Sequence, residues 1–113
     1  MNIQIFGRSK SFDTQKAQRY FKERRIRFQY IDLKEKAMSA GELRSVRAAV
    51  GDLNLLIDDK AKNSEDSWVL YLGDPRSVED KLLEHQEFLK VPIVRNGRQA
   101  SVGYCPEVWK TWE

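Results

Sequence analysis

The sequence predicts an α/β fold: a mixed four-stranded sheet flanked by helices, with a helical insertion between a β-α-β half and a β-β-α half. Three observations predict it. Residues 2–32 run strand, amphipathic helix, strand, and a helical crossover of that length joins parallel strands in the right-handed sense. Residues 91–103 hold two strand-like runs around Asn96-Gly97, the signal of an antiparallel hairpin. Pro106 is placed to open a closing helix, because the first helical position needs no N–H donor.

Each element has its own signal. Asn2 to Phe6 reads as a short strand and Gly7 to Phe12 as a loop. The spacing of Thr14, Ala17, Tyr20 and Phe21 predicts a helix over 13–24 with one apolar face. Ser11 or Asp13 is placed to cap its start, where a side-chain oxygen meets free backbone N–H groups. Arg24 and Arg25 suit its negative end. Arg27 to Asp32 alternates as a second strand.

Ser39 and Glu42 form a capping-box pattern. The helix it opens has Leu43, Val46, Ala49 and Val50 as its apolar face and Gly51 as its stop. Leu53 to Ile57 reads as a short helical piece and Asp58 to Ser67 as a polar loop. Trp68 to Leu72 is five apolar residues whose period cannot separate strand from buried helix. Gly73-Asp-Pro-Arg76 is a turn signal, and a helix follows from about Ser77 to His85. Val91 to Val94 and Gln99 to Gly103 then form the hairpin strands, and the last helix runs from Pro106 to Trp112. This order is the thioredoxin-like architecture, read as one domain over residues 1–113 with its helical insertion at about 39–88.

Composition narrows the function classes. The 113 residues are 41% hydrophobic and 33% charged, as in a globular chain with a modest core. No apolar run approaches the ~20 residues of a membrane span, and no basic and apolar leader pattern opens the chain. A cytoplasmic location is the expectation. With one cysteine, Cys105, and one histidine, His85, neither an internal disulfide nor a Cys/His metal site is expected. Charge is uneven: residues 1–60 hold thirteen Lys/Arg against eight Asp/Glu, and residues 61–113 hold seven against nine. A basic end can attract an anionic ligand or an acidic protein surface. Direct nucleic-acid binding is not expected.

The chain resembles the arsenate reductase (ArsC)/Spx family of thioredoxin-like proteins. The resemblance rests on the opening strand, the Lys16-Ala17 pair, the strand ending in Tyr30-Ile-Asp32, and Met38-Ser-Ala-Gly-Glu-Leu43. It continues through Leu89-Lys-Val-Pro-Ile-Val94, Asn96-Gly97 and Val102-Gly-Tyr104. By that resemblance the family's nucleophilic cysteine falls on Ser11, and the second cysteine of some members falls on Thr14. The oxyanion-binding arginine of some members falls on Val91, with Lys90 one residue earlier. Pro92 matches the family's proline, whose preceding peptide bond is usually cis. The frame is kept and the chemical positions differ.

The ligand-binding residues this implies are Arg8, Lys10, Ser11, Phe12, Thr14, Lys90, Val91, Pro92 and Tyr104. A serine hydroxyl is far less acidic than a thiol, and no His-Asp relay is in view to activate it. Ser11 is therefore expected as a helix cap whose hydroxyl could also donate to a bound thiolate or oxyanion. His85 reads as a surface or capping residue. Cys105 has two readings: a partly buried structural residue, or a thiol made reactive by the helix N-terminus. Phe12 is the aromatic placed for an exposed contact, while Trp68, Trp109 and Trp112 read as packing residues.

The expected function is non-catalytic binding of a small thiol such as glutathione, or of a protein partner. Two alternatives stand beside it. One is an Spx-like regulator that binds the RNA polymerase α subunit without a redox switch. The other is a thiol-dependent oxidoreductase using Cys105.

Overall fold

In the computed structural model, which describes residues 1–59 and 76–112, four strands form one sheet in the order β2-β1-β3-β4. The strands are β1 (Ile3–Gly7), β2 (Phe28–Asp32), β3 (Ile93–Asn96) and β4 (Gln99–Val102). Strands β1 and β2 run parallel, with Ile5 opposite Tyr30. Strand β3 is antiparallel to both β1 and β4, with Phe6 opposite Ile93 and Ile93 opposite Val102. The mixed sheet is therefore the one the element order predicts.

Helix α1 (Phe12–Glu23) crosses from β1 to β2 and buries Thr14, Ala17, Tyr20 and Phe21, the four residues that the spacing selects. Its C-terminus holds a feature the sequence hides. Arg25 adopts φ 58°, the Ile26 N–H donates to the Phe21 carbonyl (2.9 Å) and the Arg25 N–H to that of Lys22 (3.1 Å). This is a Schellman stop, usually built on glycine. Helix α2 (Ala40–Val50) begins with the complete Ser39–Glu42 capping box and ends on Gly51 at φ 90°. Leu43 and Val46 are buried as expected, but Ala49 is exposed. The helix lays a narrower stripe on the sheet than its sequence suggests.

A 3-10 turn (Leu53–Leu56) follows. Residues 60–75, with Trp68 to Leu72, most of the predicted polar loop and most of the Gly73–Arg76 turn, lie outside the described residues. Helix α3 spans Arg76–Glu84 and a 3-10 turn spans Gln86–Phe88. Helix α4 (Pro106–Lys110) ends before Trp112, with Pro106 in its first turn.

The first hairpin strand sits later than expected. Strand β3 starts at Ile93 rather than Val91, since Pro92 has no N–H for the ladder. Asn96 pairs with Gln99, so the loop is Gly97-Arg98 rather than one centred on Asn96-Gly97. Positive φ falls on Gly97 (61°) and not on Arg98, the pattern of a type II′ turn. Strand β4 ends at Val102, because Gly103 turns out of it at φ 84°.

Alternation along the strands splits the core between the two faces. Ile3 and Ile5 of β1 join Val94, Ala17, Tyr20, Phe21 and Trp109 on the α1–α4 side. Phe6 and Ile93 join Leu43, Val46, Leu82 and Leu89 on the α2–α3 side. The Trp109 indole N–H donates to Ser101 Oγ (2.8 Å), which ties α4 to β4 inside the core.

Candidate functional site

The register of β1 against β3 decides where the chemistry sits. Because Phe6 lies opposite Ile93, the chain leaving β1 and the chain entering β3 meet at one edge of the sheet. An open cleft of about 560 Å³ forms there, lined by residues that include Arg8, Lys10, Ser11, Phe12, Lys90 and Val91. Six of the nine sequence-selected residues thus share one surface. Asp13 and Asp58 complete it. Its size lies in the ~300–1,000 Å³ range of small-molecule sites. Size alone does not single it out, since a groove of about 590 Å³ lies between α1 and α4. Its residues do.

The loop before α1 is built tightly. Ser11 is the N-cap: it is extended at φ −80°, and its Oγ accepts from the Thr14 N–H at 3.2 Å. The Ser11 N–H donates to the Arg8 carbonyl (3.0 Å) and the Gln15 side chain to that of Ser9 (2.9 Å). Gly7 admits the helix at close range. A methyl group there would stand 2.4 Å from Thr14 Cγ2 and 2.6 Å from Thr14 Oγ1.

Three selected residues are placed away from the cleft wall. Thr14 is fully buried beneath the loop and accepts from the Arg8 N–H (3.4 Å). Packing against Gly7 takes it out of ligand reach. Pro92 is buried behind Val91, and the Val91-Pro92 peptide bond is cis. Tyr104 lines the α1–α4 groove instead, with the Lys16 ammonium 5.7 Å from its ring centroid.

Arg8 lines the cleft, but its guanidinium is engaged by protein. It donates to the carbonyls of Leu89 (3.0 Å) and Gln86 (2.5 Å), stapling the loop before α1 to the turn before Pro92. Arg8 thus positions the two walls, and Lys10 and Lys90 are the other cations that line the cleft. Lys90 is half-buried, and Gly103 leaves room beside its stem, with 3.7 Å between Lys90 Cε and a methyl group placed there.

Two residues of this region escape the sequence reading. Asp58 falls in a stretch read as loop, yet its N–H donates to the Phe88 carbonyl (2.8 Å), and the Lys90 N–H donates to Leu56 (2.8 Å). This bridge, centred on Ile57 and Leu89, carries Asp58 to the cleft. Gln86 is the other. Its side-chain carbonyl accepts from the Met38 N–H (2.8 Å) and its amide donates to the Met38 carbonyl (2.8 Å). It clamps the approach to α2 onto the turn that Arg8 holds.

The hydroxyl of Ser11 has hydrogen-bonding capacity beyond its cap. A hydroxyl that accepts at a cap still has a proton to donate, so Ser11 can cap α1 and donate outward. The carboxylates that share its cleft are Asp13 and Asp58. His85, the one histidine, is 3.4 Å from Glu87 and is not among the cleft's residues. Cys105 is half-buried and its thiol donates to the Val102 carbonyl (3.1 Å). Burial raises its pKa, helped by Glu107 and Asp13, and Lys90 opposes only in part. Helix α4, which starts after it, has only five residues. Among the described residues no group of three or more His, Cys, Asp or Glu could hold a metal ion, and no helix is long and apolar enough to cross a membrane.

Comparison with known proteins bears on the fold. No family model matches the chain, and no curated protein matches it. Solved structures do. A protein from Bacteroides fragilis described as related to the ArsC family superposes with a TM-score of 0.84 at 18% identity, over 100% of this chain and 98% of the other. An arsenate reductase from Vibrio cholerae superposes with a TM-score of 0.78 at 24% identity, over 96% and 94%. The fold is thioredoxin-like, in the form shared with arsenate reductases. A glutaredoxin from Archaeoglobus fulgidus shares it more distantly, with a TM-score of 0.50 at 14% identity over 97% and 83%. At these identities the likeness speaks for the architecture, and the activity has to be argued from the cleft.

Proposed function

We propose that this arsenate reductase-like chain binds a small thiol such as glutathione, or an oxyanion, in the Ser11 cleft and does no redox chemistry on it. The observation that carries this reading is the hydroxyl of Ser11 at the N-cap of α1, where a thioredoxin-like redox protein has its reactive sulfur. The cleft has the ingredients of an anionic thiol site: the N-terminus of a twelve-residue helix, Lys10 and Lys90 as cations, and Phe12 and Val91 as apolar walls. It has no nucleophile. Ser11 has no histidine among the residues that share its cleft, and the raised pKa of Cys105 keeps that thiol protonated at neutral pH. A reducing compartment such as the cytoplasm suits both a free thiol ligand and a lone Cys105.

The test is a titration with reduced glutathione followed by amide shifts, run on Cys105→Ser so that no covalent product forms. Shifts centred on Ser11, Lys90 and Val91, saturating and weakened by Lys90→Met, are expected. The absence of shifts at millimolar ligand would sink the small-thiol reading.

A further inference from the structure

The groove between α1 and α4 holds more positive charge than its ion pairs balance. Lys16, Arg19, Arg24 and Lys110 line it, with Glu23 as its acid. Among the described residues, four ion pairs form. Only Lys16–Asp13, at 4.0 Å and with both side chains at least half exposed, touches this surface. Arg19, Arg24 and Lys110 have no acidic partner among those pairs. Clustered cations without acidic partners repel one another.

One of them is already ordered. The Arg24 guanidinium lies 3.6 Å from the Tyr20 ring centroid and donates to the Tyr20 carbonyl (3.2 Å). Its conformational freedom is therefore spent before any partner arrives. Beneath it, the buried Tyr20 hydroxyl has no hydrogen-bond partner, although buried donors are normally met.

The row has an apolar end. Phe12, Lys16, Arg19 and Glu23 follow at spacings of four, three and four, which places them on one stripe of α1. Phe12 is 78% exposed, more than any other large apolar residue described. Exposed aromatic and Arg side chains together are the enriched residues of protein-binding surfaces. A nucleic acid fits the groove less well. The Lys16 ammonium already occupies one face of the Tyr104 ring, 5.7 Å from its centroid, so the groove's exposed aromatic is less open to a stacking base. Glu23 also interrupts the row that a continuous phosphate chain would follow.

We propose that the α1–α4 face docks an acidic segment of another protein, with carboxylates meeting Lys16, Arg19, Arg24 and Lys110 and an apolar side chain meeting Phe12. The surface reaches the rim of the Ser11 cleft through Phe12, so the partner lies beside whatever the cleft holds. Docking does not depend on the cleft being a thiol site.

The experiment measures binding of a synthetic peptide of alternating Glu and Leu at low ionic strength, with oligo(dT) of equal charge as comparator. The peptide is expected to bind and oligo(dT) to bind more weakly. Arg19→Glu with Lys110→Glu should weaken the peptide by about tenfold or more. Arg44→Glu with Arg98→Glu, the same charge change at exposed positions elsewhere, should leave it within about twofold. Phe12→Ser should weaken it with no change in charge. The proposal is overturned by any of three results: no peptide binding at low salt, equal loss in the two double variants, or oligo(dT) binding more tightly than the peptide.

Discussion

At the scale of single residues, Gly7 and Cys105 show how neighbours decide what a position can do. Gly7 faces a fully buried threonine, and a methyl group there would overlap both branches of the Thr14 side chain, at 2.4 and 2.6 Å. Gly7→Ala should therefore destabilise the fold by about 1–3 kcal/mol, the usual penalty for overpacking. Adding Thr14→Ala removes both overlapping atoms, so the double variant should lose less than the sum of the two single losses in denaturant unfolding. Cys105 gives a pH signature. The folded chain keeps the thiol proton above the ordinary 9.0 at which the unfolded chain releases it. The folded state then holds more protons, so stability falls as pH rises from that value through the raised one. Cys105→Ala should flatten this decline. Tyr30, raised by burial and by Asp32 and Glu35, acts in the same direction but from its ordinary 10.0 upward. Unfolding curves between about pH 8 and pH 11 separate the two groups.

At the scale of elements, the difference between what the sequence discloses and what it conceals follows the range of the interactions. The caps are local and legible: Ser11 and Ser39 each bond to a backbone N–H three residues ahead, so the pattern lies within one turn of chain. The stop of α1 is equally local but is disguised, because Arg25 occupies a left-handed position that normally selects glycine. That conformation costs a non-glycine residue about 1–2 kcal/mol, and glycine returns part of the difference as chain entropy. Arg25→Gly should thus raise stability by about 0.5–1 kcal/mol, read as a higher urea midpoint with an unchanged slope. A lower midpoint would mean that the Arg25 side chain supports the fold in some other way. The hairpin shift has a similar origin. Asn96-Gly97 marks a turn correctly, but the register of β3 on β1 moves the loop one residue on, to Gly97-Arg98. Asp58 and Gln86 were not legible at all, since their partners, Phe88 and Met38, lie tens of residues away along the chain.

At the scale of the whole molecule, the strand order places β1 at the centre and brings two distant loops to one edge. For that reason the position of the cleft was readable while its exact lining was not. Thr14 and Pro92 are near the cleft in sequence but buried in space, and Tyr104 belongs to the neighbouring groove. The same topology gives the chain two contrasting places for a sulfur atom. Residue 11 caps a twelve-residue helix, receives an N–H from Thr14 at 3.2 Å, and shares its cleft with Lys10 and Lys90. Residue 105 caps a five-residue helix, is half-buried, and is turned toward a carbonyl. Asp13 and Asp58 also line the first environment, opposed by the helix N-terminus. On this contrast, Ser11→Cys in a Cys105→Ser background should create a thiol that titrates below the ordinary 9.0 and forms a mixed disulfide with oxidised glutathione. The native chain, with Cys105 alone, should react slowly under the same conditions. Alkylation rates against pH measure both sulfurs directly. An introduced thiol titrating at or above the ordinary value would mean that the carboxylates prevail over the helix and the lysines, and the cleft would then have no call on an anion.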